Sequence, residues 1–204
     1  MPMRVAVALS GRGSNLEALL RALPPGAPAE VVLVLSDRAA AGGLEIGRRF
    51  GVPTQVLAHP DDASRWLDAL GAVRADLVVL AGYLKLVPAP VVERWRGRII
   101  NIHPALLPAF GGTGMYGRRV HQAVLRAGVP ESGASVHLVD EAYDHGTVLA
   151  QARVPVLAGD TPDTLAARVL AAEHRLLPAA VLAAAEAGRL VPLPAAPAPA
   201  GLTS

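Results

Sequence analysis

Short apolar runs alternate with longer mixed segments along the first half of the chain. The runs are rich in Val, Leu and Ile and are apolar on both faces, which is typical of parallel strands covered by helices on both sides of a sheet. The gaps between them are long enough for crossover helices. The predicted strands are 4–9, 30–35, 53–57, 76–81 and 98–102, and the predicted helices are 14–22, 40–50, 61–73 and 88–95.

The pattern changes after residue 103. A glycine-rich loop leads into a helical stretch over 117–128, and the apolar segments 134–139 and 147–156 flank an acidic turn. Two such segments joined by a turn indicate an antiparallel pair, which commonly lies at the edge of a mixed sheet. The pattern therefore predicts an α/β fold with a doubly wound, mostly parallel sheet and an antiparallel edge pair.

A long final helix is predicted to begin after Thr161. This residue is a good N-cap, and Pro162 suits the first helical position. We expect the helix to break at Pro178 and to end at Gly188, because proline removes a hydrogen-bond donor and glycine favours a helix end. The expected organisation is one catalytic domain over 1–190, followed by a mobile tail rich in proline and alanine over 191–204.

Composition limits the classes of function. Of the 204 residues, 52% are hydrophobic and 18% charged, which is ample for a buried core. The net charge of +2 arises from 19 basic and 17 acidic residues spread along the chain, so no nucleic-acid partner is expected. No cysteine is present, and the six histidines lack helical metal-binding spacing, so we expect no metal. The start resembles neither a signal peptide nor a membrane helix, and we expect a cytoplasmic protein without a membrane partner.

The segment SGRGSNL follows the first predicted strand. Glycines at 11 and 13 allow a tight turn whose backbone amides point into one concavity, and the next helix adds the positive end of its dipole. A terminal phosphate is the preferred guest, since no Walker lysine follows. Two alternatives stay open: a dinucleotide site with Asp37 on the ribose, although Leu16 replaces the third glycine, and a turn that only packs tightly.

Polar residues close the fifth predicted strand. Asn101 and His103 lie one residue apart, so both side chains point to the same side of the strand, near the sheet edge where ligands of such folds bind. An amide and an imidazole aimed at one point can stabilise a carbonyl oxygen that becomes negative. Asp144 is the candidate carboxylate partner of the imidazole, whereas Asp140 and Glu141 are more typical of turn capping. A purely structural histidine is the alternative.

Five segments, in this order and spacing, resemble the folate-dependent formyltransferases: SGRGSNL, LAGYLKLV, RIINIHPALLPAF, SVHLVDEAYDHG and AARVLAAEHRLLP. The resemblance covers residues 4–190. NIHPALLP and the later turn are shared by the wider family, whereas GSNL is the sign of the branch that acts on glycinamide ribonucleotide. The resemblance implies a formyltransferase-like, Rossmann-type fold. It also implies transfer of a formyl group from 10-formyltetrahydrofolate to the amine of glycinamide ribonucleotide in purine synthesis.

The resemblance also implies roles for single residues. Asn101, His103 and Asp144 fall on the family's catalytic trio, and no covalent intermediate is needed. The ribonucleotide would lie on Gly11, Arg12, Gly13, Ser14, Asn15 and Glu173, the last of which contacts the ribose. An exposed helix face beside Arg175 is the alternative for Glu173.

The folate pocket is likewise implied by resemblance. Its expected lining is Tyr83, Leu84, Lys85, Leu86, Val87, Val139, Asp140 and Glu141, with core packing as the alternative for Leu86 and Val87. The expected partners are glycinamide ribonucleotide and 10-formyltetrahydrofolate, and the expected assembly is a monomer or a homodimer. One departure from the family pattern is the loop GGTGMYGRR, 111–119, which is longer and richer in glycine. We expect it to be mobile before substrate binds, and Arg118 and Arg119 receive no role.

Four other functions compete with this interpretation. A methionyl-tRNA formyltransferase and a formyltetrahydrofolate hydrolase share the trio, but we would expect each to carry a further domain. An NAD-dependent dehydrogenase and a non-catalytic nucleotide-binding module would use the same glycine turn without the trio. Transfer to glycinamide ribonucleotide is favoured over the first two because GSNL is the sign of that branch, and over the last two because the trio is present.

Overall fold

The computed structural model describes residues 1–193 of the chain. Its sheet has the order β3-β2-β1-β4-β5-β6-β7, in which β1 to β5 are parallel and β6 and β7 are antiparallel to their preceding neighbours. The predicted doubly wound sheet and its antiparallel edge pair are confirmed. The strands are β1 Met3–Leu9, β2 Ala29–Ser36, β3 Thr54–Val56, β4 Leu77–Leu80, β5 Ile99–His103, β6 Glu131–Leu138 and β7 Val148–Pro155.

Helices cover both faces of the sheet. Alternate residues of β1 separate the two cores: Val5 and Val7 face the core built with α1, α2, α5 and α6, while Ala6 and Ala8 face the core built with α3 and α4. This is the two-residue period of a strand buried on both sides. The helices are α1 Ser14–Ala22, α2 Gly42–Arg49, α3 Ala63–Ala72, α4 Ala89–Arg94, α5 Arg118–Ala127 and α6 Pro162–Ala187.

The ends of α6 agree with prediction, but its interior does not. Thr161 Oγ1 accepts a hydrogen bond from the Thr164 amide at 3.2 Å, and the helix ends at Gly188 in the left-handed conformation. The prediction of a break at Pro178 is wrong, because the helix continues through it. Pro178 is buried, and α6 packs against α1, α5, β6 and β7, so these contacts hold the helix together across the missing hydrogen bond.

The order of the strands determines where a ligand can bind. The crossover direction reverses between β1 and β4, and the carboxyl ends of these strands border a crevice, as is usual in open α/β sheets. On the other side of β4, the antiparallel register sets Asn101 of β5 directly opposite His137 of β6. The turn from β6 to β7 comes back close to β6 because Gly146 has no side chain, since a Cβ there would overlap the Leu138 carbonyl oxygen.

Two further predictions concern the ends and the helices of the chain. Most of the predicted tail, 194–204, lies outside the described residues, so the domain boundary stays a prediction. Within 1–193, none of the helices is both long enough and apolar enough to cross a bilayer.

Candidate active site

A cleft of about 950 Å³ opens at the carboxyl ends of β1, β4 and β5. Two groups of residues on its wall contain most of the predicted site. The glycine turn, residues 10–15, follows β1, and the histidine cluster, which we define as Asn101, His103, His137 and Asp144, lies at the end of β5. Because β4 separates β1 from β5, the two strands that lead into these groups lie about 10 Å apart across the sheet.

His103 is buried at the end of β5, with 3% of its surface exposed. Its Nδ1 lies 3.4 Å from Asp144 Oδ2, and its Nε2 lies 2.9 Å from the carbonyl oxygen of Phe110. Burial lowers the pKa of His103, while the Asp144 carboxylate and the Phe110 carbonyl act in the opposite direction. The net shift is downward, so the ring takes up a second proton less readily than a free imidazole, although both of its nitrogens face acceptors.

Asp144 connects the members of the histidine cluster. Its Oδ1 accepts a hydrogen bond from Asn101 Nδ2 at 3.2 Å, and its Oδ2 accepts one from the Gly112 amide at 3.0 Å. Burial acts to raise the pKa of Asp144, but His137, His103 and the Gly112 amide together hold it below its usual value. The carboxylate is thus ionised at neutral pH and available to a cationic neighbour.

Two backbone positions beside His103 are strained. Phe110 and Asp144 have φ values of 57° and 54°, a left-handed conformation that residues other than glycine rarely adopt. Such strain costs of order 1 kcal/mol or more at each position, and it persists where surrounding contacts fix the backbone. Here the contacts with the His103 ring are among those that fix it.

His137 belongs to the cluster although sequence reasoning gave it no role. Its ring is 2% exposed, and its Nε2 lies 3.0 Å from Asn101 Nδ2. The available signal was a histidine within the apolar run SVHLV. Its partner could not be found from the sequence, because the β5–β6 register alone places it opposite Asn101.

The glycine turn leads directly into α1. Gly13 is the N-cap in a left-handed conformation, and a Cβ there would lie 2.5 Å from the Gly43 Cα, so only glycine fits. The first amides of a helix have no partner within the helix, and α1 has no side-chain cap. The cleft wall here therefore offers backbone donors beside the positive end of a helix dipole. The predicted residues that line it are Gly11, Arg12, Gly13, Ser14 and Asn15.

Glu173 of α6 lies beside the glycine turn. It is 7% exposed, lines the cleft, and accepts a hydrogen bond from Asn15 Nδ2 at 2.6 Å. Burial raises its pKa to about 7, although the Asn15 hydrogen bond opposes this rise. The alternative of an exposed helix face is wrong, because the side chain is buried and bonded to Asn15 of α1.

A family profile described as formyl transferase matches residues 3–181. The chain belongs to the formyl transferase family. The phosphoribosylglycinamide formyltransferase of Arabidopsis thaliana, a chloroplastic protein, is 45% identical over 181 residues, which are 85% of this chain and 62% of the relative. The chain thus spans about three fifths of the length of this curated relative.

Solved structures of proteins similar in sequence have the same fold as this chain. The crystal structure of phosphoribosylglycinamide formyltransferase from Brucella melitensis is 46% identical with a TM-score of 0.83, covering 95% of this chain and 100% of the other. That of glycinamide ribonucleotide transformylase 1 from Symbiobacterium toebii is 40% identical with a TM-score of 0.85, covering 93% and 94%. The resemblance found in the sequence is confirmed.

The predicted folate pocket of this formyl transferase family member divides into buried and open residues. Tyr83 and Val87 are buried in the core built with α3 and α4, whereas Leu86 is 46% exposed and Lys85 is also exposed. The hydroxyl of Tyr83 is buried without a hydrogen-bond partner among residues 1–193, and burial raises its pKa. The predicted residues on the cleft wall are Tyr83, Leu84, Lys85, Leu86, Val87, Val139 and Asp140.

Glu141 does not belong to this wall. It is exposed and does not line the cleft. Asp140 Oδ1 accepts a hydrogen bond from the Ala142 amide at 2.9 Å, which makes a local turn with Glu141 at its exposed tip. The sequence could not show this, because a turn residue points inward or outward according to backbone angles.

Three charged residues considered in the sequence have other partners. Asp37 does not line the cleft; its side chain is 3% exposed and lies 3.8 Å from Arg38, which weakens the dinucleotide alternative. Arg118 forms a bidentate pair with Asp163 at 3.1 and 3.0 Å. Arg119 lies over the ring of Tyr116. The start of α5 is therefore connected to α6 through an exposed ion pair.

Proposed function

We propose that the protein transfers the formyl group of 10-formyltetrahydrofolate to the amine of glycinamide ribonucleotide, in the synthesis of purines. The observation that carries this proposal is the convergence of Asn101, His103 and Asp144, within 3.4 Å of one another through Asp144, on a cleft that also contains an anion-binding turn. The names and similarity of the relatives support the same reaction.

The histidine cluster supplies charge stabilisation and a proton acceptor. The amine attacks the formyl carbon, and Asn101 and the imidazolium form of His103 donate hydrogen bonds to the formyl oxygen as it becomes negative. Asp144 stabilises the imidazolium and receives, directly or through water, the proton that the amine loses. The bond between the formyl carbon and N10 of the folate then breaks, and N10 takes up the proton that the amine lost, so that formylated ribonucleotide and tetrahydrofolate leave. No bond to the enzyme is formed.

The resting hydrogen bonds restrict how this can begin. The Nε2 of His103 is held by the Phe110 carbonyl at 2.9 Å, so this donor reaches the formyl oxygen only when that contact opens. Phe110 directly precedes the glycine-rich loop, whose Gly112 amide also contacts Asp144. We propose that movement of this loop on substrate binding frees the Nε2 hydrogen.

The glycine turn binds the ribonucleotide. Its backbone amides and the N-terminus of α1 receive the phosphate, as anions are received at other helix N-termini. Glu173 accepts a hydrogen bond from a ribose hydroxyl, and Asn15, already bonded to Glu173, orients it. This arrangement leaves the amine of the substrate directed from β1 towards the end of β5.

The folate is proposed to bind against the wall formed by 80–87, 139–140 and 142–144. When bound, 10-formyltetrahydrofolate supplies the activated formyl group. The buried Tyr83 and Val87 support an apolar wall for a flat ring, and the exposed Lys85 suits the carboxylates of a glutamate tail. Within the described part of the chain, the buried hydroxyl of Tyr83 has no partner. We propose no metal. A cytoplasmic location and a monomer or homodimer stay predictions.

An absorbance assay of folate product tests the proposal. Formation of tetrahydrofolate only when glycinamide ribonucleotide is present, with formylated ribonucleotide detected by mass spectrometry, is the expected result. Folate product without the ribonucleotide would instead indicate a hydrolase. Binding of NADH, seen by its fluorescence, without any folate turnover would indicate a dinucleotide site and overturn the proposal.

A further inference from the structure

His137 is a second buried histidine next to the residue proposed to stabilise the formyl oxygen. It lies opposite Asn101 in the β5–β6 register, lines the cleft and is 2% exposed. Its Nε2 is 3.0 Å from Asn101 Nδ2 and 3.4 Å from Asp144 Oδ1. The His137 ring, the Asn101 carboxamide and the Asp144 carboxylate thus all lie within 3.4 Å of one another, and the Asn101 amide hydrogens can go only to the other two groups.

The backbone determines which nitrogen of His137 carries the proton. Nδ1 lies 2.7 Å from the Leu138 carbonyl oxygen, which can only accept. Nδ1 must therefore be the donor. In a charged ring Nε2 would donate to Asp144 Oδ1, 3.4 Å away, whereas in the neutral ring, the form that the proposal below requires, Nε2 has a free lone pair. That lone pair faces the Asn101 amide nitrogen, so His137 accepts a hydrogen bond from Asn101.

The same partners fix the orientation of the Asn101 side chain. One amide hydrogen goes to the His137 lone pair and the other to Asp144 Oδ1 at 3.2 Å. If the carboxamide turned over, its oxygen would face a lone pair and an ionised carboxylate, both of which repel it. Asn101 and Asp144 both line the cleft, so the hydrogen directed to Asp144 lies where an incoming carbonyl oxygen can share it.

We propose that His137 is a positioning residue for formyl transfer: its Nε2 lone pair holds the Asn101 carboxamide with the nitrogen towards the reacting oxygen. It touches neither substrate and acts through Asn101. This inference rests on the proposed function. It assigns His137 to the rate of the chemical step and leaves substrate binding to other residues.

The protonation state of His137 can be tested in the unmodified protein. With ¹⁵N-labelled histidine, the NMR spectrum at neutral pH should show a pyrrole-type shift for His137 Nδ1 and a pyridine-type shift for Nε2. Assignment comes from the spectrum of His137→Gln. The opposite tautomer, or a charged ring, would remove the lone pair that the proposal requires and would overturn it, whether or not any variant folds.

Kinetics separate positioning from a merely structural role. His137→Leu, which has no acceptor, should lower kcat about a hundredfold, as small misplacements of a reacting group do, with KM for both substrates unchanged. His137→Gln, whose amide oxygen can accept from Asn101, should recover most of this loss. In the Asn101→Ala background, His137→Leu should cause no further loss. His59→Gln, at an exposed histidine outside the cleft, is the matched control.

Different results identify which proposal fails. If the wild-type protein does not form formylated ribonucleotide, the proposed function is wrong. If it does, but His137→Leu has wild-type kcat, or its loss adds fully to that of Asn101→Ala, the positioning role is wrong. Thermal unfolding of each variant shows whether a loss of activity reflects a loss of fold. If His137→Leu does not fold, the NMR tautomer of His137 and the kcat of His137→Gln test the positioning role instead.

Discussion

The two groups of residues on the cleft wall are built in different ways. The glycine turn comes from six consecutive residues, 10–15, and Asn15 bonds to Glu173 of the distant α6. The histidine cluster takes its four side chains from β5, β6 and the following turn, and its donors are already bonded within the protein. A ligand can meet unpaired backbone amides at the turn, but it must displace protein contacts at the cluster.

This difference separates binding from chemistry. Groups with free donors bind a substrate in the ground state and mainly determine KM. Groups that exchange partners as charge develops determine kcat, because their interaction strengthens only in the transition state. Changes at the cluster and at the turn should therefore have different kinetic consequences.

The largest expected effect is on turnover at the histidine cluster. His103→Ala removes one donor to the developing charge and should lower kcat about a hundred- to a thousandfold, while KM for the ribonucleotide stays close to the wild-type value. Steady-state kinetics with both substrates measure this. An increase in KM with unchanged kcat would contradict the assignment of His103 to chemistry.

The next effect is on stability at the glycine turn. Gly13→Ala places a Cβ 2.5 Å from the Gly43 Cα at a φ of 84°, so the free energy of unfolding should fall by roughly 2 to 4 kcal/mol. Denaturant unfolding is the measurement. Gly11→Ala is the matched control, because nothing lies within 4 Å of its Cβ, and its stability should change by less than about 0.5 kcal/mol. Equal losses in both variants would contradict the steric argument.

A pH-dependent effect is expected at Glu173. Its folded pKa of about 7 lies above the ordinary value of 4.5, so the folded state binds this proton more tightly. The stabilisation of the folded state by this proton is fully present below about pH 4.5 and is lost as the pH rises through about 7. Relative to Glu173→Gln, the wild type should therefore lose about 3 kcal/mol over this range.

Unfolding measured at several pH values checks this prediction. For Glu186→Gln, at an exposed position of the same helix, the free energy of unfolding should change with pH in parallel with that of the wild type. A difference between wild type and Glu173→Gln that does not change with pH would show that Glu173 has an ordinary pKa.

The smallest effect concerns the ion pair that joins α5 to α6. Arg118 and Asp163 are 59% and 73% exposed in their side chains, so Arg118→Ala should lower the free energy of unfolding by less than about 1 kcal/mol. Asp163→Ala should match it, and a double variant should add little to either. Thermal unfolding of the wild type and Arg118→Ala at low and high salt measures the difference in stability, which should become smaller at high salt.

Local patterns predicted most of the fold. Apolar runs identified every strand, and Thr161 and Gly188 marked the ends of α6, because caps and strand periods depend on a few neighbouring residues. Pro178 shows the limit of this reasoning. The conformational preference of proline predicted a break, but the packing of α6 against its neighbours stabilises the helix by more than the proline destabilises it. The sequence does not show what a helix will pack against.

The candidate site divides in the same way. The glycine turn, Asn101 and His103 were recognisable from short segments, and Asp144 from a turn together with the family resemblance. His137 and the Phe110 carbonyl were not recognisable, since each meets the cluster through contacts with residues distant in the chain or through backbone geometry. Glu141 was assigned to the wall, but a local turn directs it away.

The sequence alone determined the type and order of the elements and the chemical groups available, because these follow from residue type and short-range periodicity. The tertiary structure decided which groups face one another. The β5–β6 register sets His137 against Asn101, and the turn before β7 brings Asp144 within 3.4 Å of His103. Register and packing depend on the whole sheet and its two cores, so no segment of the chain contains that information by itself.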